Sequence, residues 1–139
     1  MSLQPFIIRD LPDPPRNLWK IVGPGIVAAG VEAICAKIHE RSPATKILLL
    51  AIFPRGQKPD ATRAKVDDVN RLLARLDDRE GVTFLDIGAR FLEPDGSISP
   101  DVMYDFLHPT AKGYAIWSAA MAPILDRLLA KPSAQEGYE

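Results

Sequence analysis

Asp105 and His108 stand three residues apart in Met103-Tyr-Asp-Phe-Leu-His-Pro-Thr-Ala-Lys-Gly-Tyr114, directly before the last helical pattern of the chain. A histidine titrates close to neutrality, so it can take a proton from a nucleophile and return it to a leaving group. That work needs one tautomer. A carboxylate accepting the proton of one ring nitrogen leaves the other as a basic lone pair, and it stabilises the imidazolium that forms during reaction. Phe106 and Leu107, the apolar residues between the pair, are expected to anchor a short turn with both polar groups on one side. Asp-x-x-His is an unspecific motif by itself. In the competing reading His108 satisfies a backbone group at the helix start while Asp105 bonds nearby amides.

The elements that must hold this pair follow from periodicity. From Ile26 to about Arg41, Val27, Val31, Ile34, Cys35 and Ile38 recur at three and four, one stripe of a helix stopped by Ser42-Pro43. Lys46-Ile-Leu-Leu-Leu-Ala-Ile-Phe53 is a continuous apolar run, as expected of a strand covered on both faces. The loop Pro54 to Pro59 follows. Asp60 is placed to cap a second helix with the stripe Val66, Val69, Leu72, Leu73 and Leu76, ending near Gly81. Val82 to Ile87 reads as a second strand, and Glu93-Pro-Asp-Gly-Ser97 as a tight turn. Thr110 caps a closing helix whose face is Ile116, Trp117, Ala120, Met121, Ile124, Leu125 and Leu128. Strands alternating with helices imply a parallel sheet wrapped by helices, with chemistry at the carboxyl ends of the strands.

A chain of 139 residues, 47% of them apolar, with a formal net charge of -1, suits one domain of ordinary size. Basic and acidic residues are interleaved, which offers no electrostatic footprint for nucleic acid or an anionic membrane. No apolar run approaches the roughly 20 residues that span a bilayer. The N-terminus lacks the order of a secretion signal, and the single Cys35 cannot form an intrachain disulfide. These features lead to the expectation of a cytoplasmic protein. No metal-ligand spacing links His39, His108 and the carboxylates, so neither metal nor cofactor is expected. His39 is expected on the surface, Cys35 as a buried hydrophobe, and Trp117 and Tyr114 as core.

The stretches GVEAICAKIHERSPATKILLLAIFPRGQKPD (30–60), VNRLLARL (69–76) and VTFLDIGARFLEPDGSISPDVMYDFLHPTAKGY (82–114) together resemble the SGNH, or GDSL, hydrolases, especially the platelet-activating-factor acetylhydrolase type. The resemblance covers about three quarters of the chain. It implies a flavodoxin-like three-layer α/β/α fold with a sheet of five parallel strands, a nucleophilic serine after the first strand, and an oxyanion hole of two amides and an asparagine. Asp105 and His108 match the family's aspartate and histidine before the last helix, the histidine as general base and then acid and the aspartate as its orienter. Arg55 and Gln57 match a Pro-Arg-Gly-Gln run of the family, where they could face the substrate or fix the loop.

Residues 1–29 hold no Gly-Asp-Ser and no Gly-x-Asn, and Asn17 and Asn70 are the only asparagines. The two strands correspond to the family's fourth and fifth. The expectation is therefore the C-terminal part of such a fold, its first three strands missing together with the nucleophile: a proline-rich arm over 1–24, the α/β segment over 25–131 and a tail over 132–139. None of Ser42, Ser97, Ser99 or Ser118 sits on a strand-to-helix turn that would expose an activated hydroxyl. The nucleophile stays unassigned, and the chain alone is expected to be nearly inert. A small acyl ester is the expected substrate of the complemented enzyme. The alternative is a non-catalytic binding or oligomerising module, pairing with copies of itself through the open edge of the Ile47 to Phe53 strand.

Overall fold

Pro24 opens the first helix, α1 (Pro24–Arg41), at the position where a missing amide proton costs nothing and a fixed φ favours the helix. The computed structural model describes residues 23–79 and 81–130. The tail expected over 132–139, and the proline-rich arm up to residue 22, lie outside the described residues. Val27, Val31 and Cys35 of α1 pack inward, with Cys35 buried as expected. Ile26 and Ile34 do not; they are 67% and 61% exposed. His39 also departs from its expected surface position. It is half-buried, with Nε2–H donating to the Thr45 carbonyl at 2.9 Å.

β1 (Ile47–Leu50) pairs in parallel with β2 (Val82–Leu85), in register from Ile47 opposite Val82 to Leu50 opposite Leu85. Between them run α2 (Ala61–Leu73) and a single 3-10 turn (Ala74–Leu76). The Asp60 side chain caps α2 by accepting from the Arg63 amide at 2.8 Å. Val69, Leu73 and Leu76 are buried, so the predicted stripe does face inward. After β2, a 3-10 turn (Gly88–Phe91) and the Glu93 to Ser97 turn lead to the loop that carries the pair. α3 (Ala111–Leu129) closes the described segment, with Thr110 Oγ1 accepting from the Gly113 amide at 3.2 Å.

The first strand corrects the sequence reading. The run from Lys46 to Phe53 predicts a strand buried on both faces, yet the ladder holds four residues and all four are half-buried. Its end has a local cause. Ala51 N–H still donates to Leu85 at 2.9 Å, but the next residue is taken by a side chain: Asn70 Oδ1 accepts from Ile52 N–H and Asn70 Nδ2 donates to Ile52 C=O, both at 2.8 Å. The half-burial follows from the sheet, because among the described residues β1 has β2 as its one strand neighbour.

Two clusters of buried residues sandwich the sheet. Strand alternation sends Ile47, Leu49, Val82 and Phe84 toward α1 and α2, where they meet Cys35, Val69, Leu73 and Leu76. On the opposite face, Ile87, Phe91, Ile98, Val102, Met103 and Ala120 form a second cluster that takes Phe53, Leu85, Phe106, Ile116 and Trp117 against it. The result is three layers, α/β/α. Trp117 sets its ring edge-on to Phe53 at 4.9 Å. Tyr114, expected beside it in the core, is 56% exposed and stacks over the outer side of Trp117 at 5.8 Å. Being near the start of α3, it stands beyond the reach of the sheet.

Candidate active site

The loop from Asp101 to Thr110 is pinned at its base. Met103 and Pro109 form an antiparallel bridge, Thr110 N–H donates to the Val102 carbonyl at 2.9 Å, and Thr110 Oγ1 donates to the same oxygen at 3.2 Å. Met103 beneath is fully buried. Gly113 permits this closeness. A Cβ there would collide with the Val102 carbonyl oxygen and come within 2.9 Å of the Pro109 Cβ, so a larger residue would push the first turn of α3 off the loop.

At the tip, Asp105 and His108 are brought together. Asp105 Oδ1 accepts from the amides of Leu107 (3.1 Å) and His108 (2.8 Å), while Oδ2 lies 2.7 Å from His108 Nδ1. The His108 amide holds the Asp105 carboxyl below the usual range, its imidazole adds to that, and the Leu107 amide contributes further. Asp105 is therefore an ionised acceptor, and the proton between the two must sit on Nδ1. In the neutral ring this leaves Nε2 as the lone pair, and Nε2 makes no hydrogen bond among the described residues. The Tyr104 ring stacks on the imidazole at 5.9 Å between centroids and 19° between planes, limiting its rotation from one side.

Only one of the two intervening apolar residues anchors the turn. Phe106 packs against the buried cluster, whereas Leu107 is exposed. Phe106 also takes a left-handed conformation, φ 60°, uncommon for a non-glycine residue. That turn lets one carboxylate reach two amides and an imidazole within four residues. It is held from outside, because the Gly56 amide donates to the Phe106 carbonyl at 2.9 Å.

The loop after β1 thus touches the pair's loop directly. Arg55, Gly56, Asp60 and Thr62 line one side of a cleft of about 290 Å³, and Asp105, Phe106 and Leu107 line the other. Arg55 shares this cleft with Asp105, while His108 is not among its lining residues. Gln57 is not among the lining residues; its carbonyl accepts from the Ile98 amide at 3.0 Å, so its backbone fixes the loop. Gly56 and the buried Arg63 escaped the sequence reading, as did the left-handed conformation of Phe106. The sequence did carry a signal for Arg63: with Val66, Asn70 and Leu73 it falls on the inward line of α2, where a polar residue has to be satisfied by something.

No hydroxyl among the described residues bonds to His108. Ser97 Oγ donates to Asp95 at 2.6 Å, Ser99 Oγ accepts from the Asp101 amide at 3.2 Å, and Ser42 Oγ accepts from Thr45 at 2.7 Å. Among the described residues, no helix is long and apolar enough to cross a membrane, and no group of three or more His, Cys, Asp or Glu is placed to hold a metal.

Comparison with known proteins bears on these arrangements. Residues 10–116 match the model of the GDSL-like Lipase/Acylhydrolase family. The alpha2 subunit of platelet-activating factor acetylhydrolase IB from Rattus norvegicus is 47% identical over 104 residues, covering 74% of this chain and 45% of that subunit. The alpha1 subunit from Pongo abelii is 39% identical over 110 residues, covering 78% of this chain and 48% of that subunit. The chain spans about half the length of the curated relatives it matches. Among solved structures, a Streptococcus pneumonia protein described as a platelet activating factor superposes with a TM-score of 0.68 at 22% identity, over 78% of this chain and 55% of that one. That likeness shows the fold: the described layers are part of the GDSL-type α/β/α architecture.

Proposed function

Because this chain belongs to the GDSL-like lipase/acylhydrolase family, we propose that it carries the acid-base half of a serine ester hydrolase acting on small acyl esters, acetyl esters foremost, with the nucleophile supplied from outside the described residues. The observation that carries the reading is the pair's geometry: Nδ1–H on an ionised carboxylate at 2.7 Å, that carboxylate tied down by two amides, and Nε2 left unbonded. Nε2 would take the proton of a serine hydroxyl as its oxygen attacks the ester carbonyl. The same proton passes to the departing alcohol oxygen when the acyl carbon–oxygen bond breaks, leaving an acyl-serine. Water, deprotonated by Nε2 in turn, releases the acid and restores the serine. Asp105 orients the ring through both transfers. Arg55, which lines the same cleft as Asp105, would meet the substrate there. The names of the relatives support the acetyl group as the acyl part.

The test is complementation. The chain is co-expressed with the part of the rat alpha2 subunit that lies outside the matched segment, and co-purification establishes assembly. The chain alone should show no stoichiometric labelling by a fluorophosphonate, and the assembled pair should hydrolyse p-nitrophenyl acetate in a manner abolished by His108→Ala. Hydrolysis by the pair that survives His108→Ala overturns the reading, and so does labelling of a serine of this chain on its own. A second reading, a binding or oligomerising module, has one observation in its favour, the half-buried β1 with a single strand neighbour among the described residues. Light scattering that finds a monomer at all concentrations counts against it.

A further inference from the structure

Among the described residues Arg63 is the one buried basic residue, 6% exposed, and none of their carboxylates lies within ion-pairing distance of it. Its guanidinium is instead spent on three backbone carbonyls. Nε donates to Arg55 at 3.2 Å, Nη2 to Gly56 at 2.5 Å, and Nη1 to Gly96. A buried charge held only by carbonyls is an expensive way to close a loop, since its desolvation is offset by dipoles alone. A neutral side chain would do if closing the loop were the whole requirement. What the planar fork adds is direction: five donors in fixed geometry can hold three carbonyls from two separate loops at once.

Those carbonyls belong to the segments around the pair. With the Arg55 and Gly56 carbonyls fixed, the Gly56 amide is aimed away from Arg63 and onto the Phe106 carbonyl at 2.9 Å. Gly56 reaches this through a positive φ of 81°. The bond it gives holds Phe106 in its own left-handed conformation, and that conformation is what lets the Asp105 carboxylate reach the His108 amide and ring. The third carbonyl, Gly96, ties the same fork to the turn before the loop, next to the Ile98 amide that donates to Gln57 at 3.0 Å.

We propose that Arg63 is a positioning residue for the Asp105–His108 pair, transmitting through the Gly56 amide to the Phe106 carbonyl the backbone geometry that seats the imidazole on its carboxylate. It touches neither substrate nor ring. The proposal rests on the hydrolase reading for its consequence but not for its test, which follows the pair in the unreacted chain and needs no nucleophile.

The experiment is a carbon-detected NMR titration of the Asp105 carboxyl with amide hydrogen exchange at Gly56 and His108, in the full chain and in Arg63→Met. Loss of the fork should raise the Asp105 midpoint toward the ordinary aspartate value and cut protection of the Gly56 and His108 amides at least tenfold. Arg63→Lys, which can serve one carbonyl at a time, should fall between. Val69→Ala, a buried substitution in the other cluster, lowers stability but should leave the Asp105 midpoint where it is, which separates positioning from general loosening. A folded Arg63→Met with an unmoved Asp105 midpoint overturns the proposal. Should Arg63→Met not fold, exchange in the unsubstituted chain decides. The Arg63 Nε–H, Gly56 and His108 protons should open together with one denaturant dependence, and independent opening sinks the idea. If complementation yields no hydrolysis while the Asp105 midpoint still moves, the hydrolase reading fails and the positioning role stands.

Discussion

The loop that carries Asp105 and His108 rests on Met103, which is wholly buried, whereas α1, on the other side of the sheet, leaves Ile26 and Ile34 more than half exposed. Beneath the loop, Ile87, Phe91, Ile98 and Met103 are all at most 2% exposed and drawn from the one stretch 87–103. On the α1 side the strand is half-buried, and Ile52, just past its end, is 40% exposed. The difference teaches that the pair's geometry is a short-range product. Its hydrogen bonds span two or three residues, its platform is contiguous in sequence, and one clasp from the loop after β1 completes it. The α1 and β1 side is patterned for more neighbours than the described residues provide.

The sharpest separation of the two regions is chemical. Asp105→Asn keeps an oxygen for the two amides but presents an amide nitrogen to Nδ1, so the ring must carry its proton on Nε2 and loses its basic lone pair. In the complemented enzyme, p-nitrophenyl acetate turnover should fall by roughly 10⁴-fold, the size of effect this change has where such a carboxylate orients a base. A fall below tenfold would mean that the pair is ornamental and that the platform positions nothing. Next in size is the platform itself. Met103→Ala should cost about 2–5 kcal/mol in urea unfolding of the chain, because a fully buried side chain with no room to collapse leaves a cavity. A cost below about 1 kcal/mol would erase the contrast in packing.

Asn70 sits between the regions and tests how strand β1 is ended. Asn70→Ala strips partners from both the Ile52 amide and its carbonyl, a loss of about 1–3 kcal/mol if water cannot replace them. Since Ile52 is 40% exposed, the lower end is expected. The accompanying sign is structural: with Ile52 released, its amide should exchange faster while that of Ala51, bonded to Leu85, stays protected.

What was readable in the sequence divides along the same line. Asp60 and Thr110 cap their helices because side-chain capping is a one-turn interaction, and the stripe Val69, Leu73 and Leu76 faces inward because helical periodicity needs no distant partner. The Asp105–His108 pair was legible for the same reason. Strand β1 was not, because its length is decided by Asn70, 18 residues downstream of Ile52. Neither was the left-handed Phe106, which depends on the amide of Gly56, nor the carbonyl partners of Arg63, which reach as far as Gly96. Periodicity marks a position as inward; it does not say which backbone group will be waiting there. Tyr114 and His39 erred in opposite directions because an amphipathic residue at a helix end follows the neighbour it finds, Trp117 outside for one and the Thr45 carbonyl inside for the other.

Acid should weaken the site side through Asp105. The Asp105 carboxyl is held below its usual range by the His108 amide and ring, so the unfolded chain binds that proton more readily than the folded one. The contribution is complete above the ordinary aspartate value of about 3.9 and is lost as pH falls through the lower folded value. Comparing the chain with Asp105→Asn by thermal melts from pH 6 down to pH 2, the two should converge in acid; a gap that widened instead would place the stabilising charge elsewhere.

The smallest expected effect lies on α1. Ile34→Ala removes an apolar side chain that is 61% exposed, so little area leaves or enters water on unfolding, and alanine is the better helix former. The two tendencies oppose, and urea unfolding should move by no more than about 0.5 kcal/mol, the usual span for an exposed position. Set beside Met103→Ala, the ratio of the two costs measures the asymmetry of the molecule in one unit. A loss above 2 kcal/mol at Ile34 would mean that its side chain is covered in solution, and the side of the chain that looks unfinished would have found its neighbour. Dilution then identifies that neighbour's source, since a cost that fades at low protein concentration comes from a second molecule and one that persists comes from within the chain.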